Sequence, residues 1–120
     1  MRAIKFRAWD GEMLNNIIPT NHSEIIEVQN LTHIPRLRKV IDIMQYTGLK
    51  DKNGKESKEI YQSDLFQSQG EVGEIKQHES GEWYIDYGEE IGTESLLDTL
   101  NRDGGEVIGN IYENPELLPA

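Results

Sequence analysis

The N-terminal residues of the chain alternate between two kinds of side chain. Between positions 4 and 8, apolar residues are separated by charged ones. A period of two is typical of a half-buried β-strand, because successive side chains of a strand point to opposite faces. Asp10-Gly11 supplies a turn, and residues 13–18 are predicted to return as the second strand of a hairpin that Pro19 ends.

The pattern between residues 19 and 46 is less regular. Residues 24–28 are compatible with a strand. Residues 36–45 place several apolar side chains at helical spacing, but the β-branched residues among them are more typical of a strand. We therefore predict a strand over residues 40–46.

From Ile60 onward, short apolar runs are separated by turn residues at fairly regular intervals, which is typical of a small barrel or sandwich. A short helix is predicted before the last strand, with Thr93 as its N-cap and Leu96, Leu97 and Leu100 on one face. The four predicted strands span residues 65–67, 71–77, 83–87 and 107–112.

These elements predict a mainly β protein, with a small SH3-like barrel in the C-terminal half, an N-terminal β-hairpin extension and one short helix. A length of 120 residues lies near the commonest domain size. We expect one domain over residues 1–120, with the hairpin and further strands in residues 1–46 and the barrel-like part in residues 60–118. The polar residues 50–55, which include Asn-Gly, are predicted to form a turn in water.

Composition narrows the chemistry that is available to the chain. It contains no cysteine, which excludes disulfide bonds, thiolate catalysis and cysteine-ligated zinc. The N-terminus lacks the apolar stretch of a secretory signal, and no window is long and apolar enough to cross a bilayer. We expect a cytoplasmic protein that does not contact a membrane.

The net charge of −10 is unevenly distributed. Residues 1–66 hold ten Lys/Arg and nine Asp/Glu, whereas residues 67–120 hold two and thirteen. An acidic surface repels a polyanion, so nucleic acid would have to bind the N-terminal half. The simplest interpretation of the acidic half is a solvated surface that keeps the protein soluble.

One basic face is a candidate nucleic-acid contact. Lys5, Arg7 and Trp9 lie on the side of the first strand opposite its apolar residues. A basic strand with an aromatic side chain can hold phosphates and stack a base. The acidity of the chain favours the competing interpretation, in which Trp9 packs against the barrel and the cations remain in water.

Six acidic residues are candidates for the acid and base of a glycosidase-like reaction. However, thirteen acids among residues 67–120 make close neighbours inevitable, and alternation places Glu82 and Asp86 on the wet face of a strand. We therefore expect these carboxylates to be ordinary surface groups. They are Glu71, Glu74, Glu82, Asp86, Glu89 and Glu90.

No pattern in the sequence predicts a metal or cofactor. His22, His33 and His78 lack the spacing that brings two imidazoles to one metal ion. The glycine-containing turn at residues 48–55 departs from both the phosphate-binding loop and the calcium loop, since five residues separate its glycines and Leu49 stands where calcium needs a carboxylate.

Three stretches of the chain resemble the YopX family of phage and prophage proteins. They are residues 4–10 (IKFRAWD), residues 44–61 (MQYTGLKDKNGKESKEIY) and residues 107–118 (VIGNIYENPELL). Two departures stand out: Ser57-Lys58-Glu59 is an insertion, and Gln62-Ser63-Asp64 replaces the usual Glu-Gly-Asp. The resemblance implies a mainly β domain that is encoded by a phage or prophage and acts inside a bacterium, and it implies no activity.

Two functional hypotheses follow. The first is a non-enzymatic accessory protein that binds an unknown protein or associates with itself, because no catalytic pattern is present and the two halves differ in charge. The second is a nucleic-acid-associated protein. It would use Lys5, Arg7 and Trp9 directly, or its acidic half would imitate DNA.

Overall fold

The computed structural model describes residues 5–27, 36–51 and 57–118. The chain divides into two compact units, Met1–Tyr46 and Thr47–Ala120, here called unit 1 and unit 2. The described residues form twelve strands, one α-helix and one 3₁₀ turn, so the predicted mainly β class is confirmed. The assignment of both units to one domain stays a prediction.

Unit 1 contains two groups of antiparallel strands. Strand β1 pairs with both β2 and β6, and the other three strands form a sheet in the order β3-β4-β5. The strands are β1 (Phe6–Trp9), β2 (Met13–Leu14), β3 (Ile17–Asn21), β4 (Glu24–Glu27), β5 (Arg36–Lys39) and β6 (Asp42–Lys50), of which β6 continues into unit 2.

The predicted N-terminal hairpin is present, but its second strand is shorter than expected. β2 ends at Leu14, and Asn16 adopts a positive φ of 55° before β3 begins. Pro19 was expected to end this strand and instead lies inside β3. A proline has no N–H to donate, and β3 tolerates it because β3 lies at an edge of the described three-stranded sheet.

The strand predicted over residues 40–46 is displaced along the chain. It begins at Asp42 and extends to Lys50, while residues 36–39 form the separate strand β5. Val40 lies between these strands and is buried with Ala8, Ile17 and Ile25 in the core of unit 1. The strand predicted over residues 24–28 is confirmed as β4 up to residue 27, and residue 28 lies outside the described residues.

Unit 2 is built on a five-stranded antiparallel sheet in the order β11-β10-β9-β8-β12. Strand β6 also pairs with β7, the strand that follows it in the chain. The elements are β7 (Glu59–Tyr61), β8 (Asp64–Ser68), β9 (Glu71–Gln77), β10 (Trp83–Asp86), β11 (Thr93–Ser95), α1 (Leu96–Arg102), β12 (Glu106–Asn110) and a 3₁₀ turn (Pro115–Leu117).

The four strands predicted after Ile60 correspond to β8, β9, β10 and β12, but the start of the helix was predicted wrongly. Thr93 belongs to β11, where it pairs with Asp86, and it does not cap the helix. Ser95 is the N-cap, and its hydroxyl accepts a hydrogen bond from Asp98 N at 3.3 Å. The helix N-cap therefore lies two residues later than predicted, at the end of a short strand.

The core of unit 2 forms between the sheet and α1. Leu96 and Leu100 are buried one turn apart on the helix, whereas Leu97 is 47 % exposed and lies on its outer side. This corrects the prediction that all three leucines share a face. The buried core cluster contains Ile60, Phe66, Ile75, Ile85, Tyr87, Leu96 and Leu100.

Adjacent glycines before β12 provide a test of this packing. An added Cβ at Gly105 would lie 2.5 Å from the Phe66 ring and 2.8 Å from the Gln67 carbonyl oxygen, at a φ of +130°. At Gly104 (φ +76°) no atom lies within 4 Å. We expect Gly105→Ala to lower the free energy of unfolding by about 3 kcal/mol, and Gly104→Ala by only about 1 kcal/mol.

Urea denaturation followed by tryptophan fluorescence measures both values. Equal losses for the two variants would show that the close approach of Gly105 to Phe66 does not constrain the fold.

Candidate functional site

An acidic groove lies among the described residues of unit 2. It has a volume of about 740 Å³. Strands β9 and β10 supply one part of its lining, and the loop that follows β10 supplies another. The lining residues are Glu71, Val72, Glu74, Asp86, Tyr87, Gly88, Glu89, Glu90, Ile91 and Leu118.

The structure brings together five of the six acidic residues that the sequence singled out. Glu74 and Asp86 share a face because they are directly paired across β9 and β10. Glu82 is the exception: it is exposed before β10 begins and does not line the groove.

Asp86 is held by two hydrogen bonds. Lys76 Nζ lies 2.8 Å from Asp86 Oδ2, and Gly88 N donates to Asp86 Oδ1 at 2.9 Å. The Lys76 hydrogen bond, followed by that of Gly88, lowers the pKa of the Asp86 carboxyl. The same contact raises the pKa of Lys76. Asp86 is therefore a carboxylate at neutral pH, with no proton to donate.

The lowered pKa of Asp86 does not suit the general acid of a hydrolytic pair. A glycosidase pair requires one carboxyl whose pKa is raised so that it can protonate the leaving group. Asp86 is shifted in the opposite direction. Tyr87 belongs to the core of unit 2. This burial raises the pKa of its hydroxyl, which therefore stays protonated.

The groove also has an aliphatic component. Ile91 is 52 % exposed, and the half-buried Val72 and Leu118 line the same space. Carboxylates beside exposed aliphatic carbon suit a ligand with cationic groups on apolar stems, such as lysine or arginine side chains. Within residues 5–27, 36–51 and 57–118, no group of three or more His, Asp or Glu residues is placed to hold a metal ion.

Neither His22 nor His78 lines this groove. His78 stacks on the Tyr84 ring with 3.9 Å between ring centroids, and His22 is exposed in the β3–β4 turn. His33 lies outside the described residues.

The predicted basic face of β1 is only partly exposed. Arg7 is 8 % exposed, and it is paired with Met44, which is completely buried. Lys5 is exposed, with its Nζ 5.3 Å from the centre of the Tyr46 ring, and Trp9 is half-buried. Burial of Arg7 removes its guanidinium from the surface on which a phosphate would bind.

Arg38 is a further cation of unit 1. Its guanidinium contacts three carboxylates, those of Asp10, Glu12 and Glu27, and the Glu27 contact measures 2.7 Å. A cation that is neutralised in this way contributes little to the attraction of a polyanion.

Buried polar side chains form a second cluster, which sequence reasoning did not anticipate. Asp51 is 1 % exposed, and its carboxylate accepts hydrogen bonds from Lys58 N at 2.8 Å and Val107 N at 2.9 Å. Thr47 Oγ1 donates to Ile60 O at 2.7 Å. These side chains satisfy backbone groups, so they stabilise the framework and are not available to a ligand.

Two turns of unit 2 are also held by buried polar side chains that bond to the backbone. Asp64 is 2 % exposed and accepts a hydrogen bond from Tyr61 N at 2.7 Å. Asn110 Oδ1 accepts from Tyr112 N and Glu113 N at 3.0 and 2.8 Å. The only signal in the sequence was an isolated polar residue beside turn residues, which does not distinguish a framework contact from a site.

Ser63 shows how the second departure in the sequence is accommodated. It lies in the left-handed region with a φ of 71°, and it is buried. The backbone therefore keeps a conformation that glycine adopts more easily. The turn is thus formed with serine in place of glycine.

Comparison with protein families places these observations in context. The model of the YopX protein family matches residues 5–119 of the 120. The chain belongs to the YopX family. Comparisons with curated proteins and with solved structures gave no match. Two of the three YopX-like stretches contain the buried side chains of Thr47, Asp51 and Asn110, so the family resemblance there reports the framework of unit 2.

The Asp51 contacts predict a large effect of a small change. In Asp51→Asn, an amide NH₂ replaces one acceptor and faces a backbone N–H donor. We expect the free energy of unfolding to fall by about 3 kcal/mol. Glu79→Gln, in an exposed turn, makes the same chemical change and should cost less than about 0.5 kcal/mol. Urea denaturation measures both, and equal losses would contradict a framework role.

The Lys76 contact predicts a titration. In Lys76→Gln, the pKa of Asp86 should rise towards its value in model peptides, because the hydrogen bond that lowers it most is removed. Carbon-13 NMR of the side-chain carboxyl measures it. Because the folded-state pKa is lowered, any stability this pair gives is complete above the unfolded pKa and is lost as pH falls through the folded one. Lys58→Gln is the matched control, and an unchanged Asp86 pKa in Lys76→Gln would remove the ion pair as its cause.

Proposed function

We propose that this YopX protein is a non-enzymatic accessory protein, encoded by a phage or prophage, that acts in the bacterial cytoplasm by binding another protein. The acidic groove carries the proposal. Its carboxylates surround Val72, Ile91 and Leu118, and this mixture is suited to a basic protein segment. No helix among the described residues is long and apolar enough to span a membrane.

The fold supports a binding role through its rigid support of the groove. Glu71, Val72 and Glu74 lie on β9, which is hydrogen-bonded to a strand on each side. Binding groups on regular strands are held more firmly than groups on long loops. We further propose that unit 2 is an SH3-like barrel, since a short helix precedes its last strand.

The hydrogen bonds of Asp86 argue against one catalytic role, that of a general acid. This carboxylate is hydrogen-bonded to Lys76 and Gly88, and its pKa is lowered. An acid–base reaction in the groove would lack a proton donor at this position.

Nucleic-acid association is the second candidate. Direct contact is less well supported because Arg7 is buried and Arg38 is occupied by carboxylates. Imitation of DNA by the acidic groove is the stronger version, since five carboxylates converge there. In that version, the bound protein is one that normally holds DNA.

The groove can be tested by charge-matched variants. The groove variant combines Glu71→Gln, Glu89→Gln and Glu90→Gln. The control variant combines Glu79→Gln, Glu82→Gln and Glu106→Gln, which change the same charge at exposed positions outside the groove. We expect host proteins captured by the wild-type chain to be retained about tenfold less by the groove variant and equally by the control.

Quantitative mass spectrometry of proteins captured from a bacterial lysate gives the comparison. Equal retention by all three chains would reject the groove as the binding surface. Release of the captured protein by added duplex DNA would favour imitation of DNA, and indifference to DNA would favour an ordinary basic partner.

A further inference from the structure

Unit 1 presents the most exposed large apolar side chains of the described part of the chain. Ile41 is 71 % exposed, Leu37 is 64 % exposed and Ile18 is 54 % exposed. Single exposed apolar residues are common on protein surfaces, whereas a continuous group marks an interaction site. The question is therefore whether these side chains adjoin one another.

The strand register places two of them in one row. Ile18 of β3 pairs with Ile26 of β4, and Ile26 pairs in turn with Leu37 of β5. Directly paired residues of antiparallel strands share a face and lie about 5 Å apart at Cβ. Ile18, Ile26 and Leu37 thus form an aliphatic row across all three strands, which we call the apolar face.

The other side of the same sheet is already packed. Ile17 and Ile25, which alternate with the row residues, are 7 % and 0 % exposed and belong to the core of unit 1. An antiparallel sheet with one buried face normally presents polar residues on the other. Aliphatic residues on both faces indicate that the second face is covered by a partner.

The charges on and around the apolar face indicate which partner covers it. Glu24 and Lys39 are paired in the same sheet, next to the row on the same face by alternation. The face therefore carries one charge of each sign. Unit 1 as a whole holds six Lys/Arg and five Asp/Glu, whereas unit 2 holds six and seventeen. A near-neutral surface with one acid and one base complements itself.

We propose that the apolar face is the contact between two copies of this chain. A twofold axis parallel to the strands and between β4 and β5 would set Ile26 of one copy against Leu37 of the other. The same axis sets Glu24 of each copy against Lys39 of the other, as an isologous contact requires. The inference rests on the proposed function, because it specifies self-association as one form of protein binding by this accessory protein.

The size of the face sets the strength of the contact. Three strands spaced about 4.8 Å apart, with about four residues each at about 3.4 Å, cover roughly 14 by 14 Å. Such a contact is smaller than a standard protein interface, so the dimer should be weak, with a dissociation constant of about 100 µM.

Salt distinguishes this arrangement from attraction between the two halves of the chain. Each copy has a net charge of −10, so two copies repel one another. Screening reduces that repulsion, and the apolar contact should tighten about threefold between low and high salt. Head-to-tail attraction between unit 1 and unit 2 would weaken under the same change.

Sedimentation equilibrium of the full chain from about 10 µM to about 1 mM tests the proposal at both salt concentrations. The face variant combines Ile18→Thr and Leu37→Thr, which place a polar β-branched residue, suited to a strand, at both positions. The control is Leu97→Gln, at an exposed position on α1. We expect a dimer for the wild-type and control chains and at least a tenfold weaker dimer for the face variant, whose fold circular dichroism verifies.

A wild-type chain that stays monomeric throughout, or a dimer that the face variant forms equally well, would overturn the proposal. So would a dimer that weakens as salt is added. If the face variant loses a captured host protein and the wild type is monomeric, the face binds a different protein and the self-contact is rejected. A monomer that still captures proteins through the groove rejects this inference alone and leaves the proposed function intact.

Discussion

The buried carboxylate of Asp51 constrains the rest of unit 2. Removing a carboxylate from water is costly unless donors replace the solvent, and two backbone N–H groups do so here. One belongs to Lys58 and the other to Val107 in β12. Asp51 N also donates to Lys58 O at 2.9 Å, so a second hydrogen bond joins these two residues. A single side chain thereby joins the end of β6, the start of the β7 region and the last strand.

Other buried polar side chains also bond to the backbone, which explains why the sequence motifs did not reveal a site. Thr47, Asp64 and Asn110 are residue types that commonly serve in catalysis or ligand binding, yet each is buried and hydrogen-bonded to the backbone. Buried polar side chains that are fully hydrogen-bonded specify one arrangement of the chain. The membership in the YopX family, which rests on nearly the whole length, therefore says more about how the chain folds than about what it binds.

Much of the fold could be predicted because period-two patterns record which face of a strand is buried. β9 spans the predicted residues, and Ile75 and Ile85 are buried as alternation requires. The errors arose where tertiary pairing overrides local preference. Pro19 is tolerated inside β3 only because that strand is an edge, and Thr93 pairs with Asp86 although it has the chemistry of a helix cap.

Burial of charged residues was the least predictable feature. Arg7 alternates with apolar neighbours in the way that is typical of an exposed strand residue. In the structure, however, Arg7 is buried, and so is Met44, with which it is paired. Alternation reports a face, and it cannot report whether other parts of the chain cover that face. The acidic cluster was visible in composition, but its convergence depends on the pairing of β9 with β10 and on the loop after β10.

That loop shows how the groove acquires its shape. Asp86 Oδ1 accepts from Gly88 N, Tyr87 N donates to Gly92 O at 2.9 Å, and Gly92 N donates to Gly88 O at 2.7 Å. These three bonds close the loop on itself and fix the segment that carries Glu89, Glu90 and Ile91. Since Lys76 holds the other oxygen of Asp86, the carboxylate that the sequence suggested for chemistry instead orients a wall of the groove. Its low pKa follows from that structural task, because the hydrogen bonds that position the loop also stabilise the charged form.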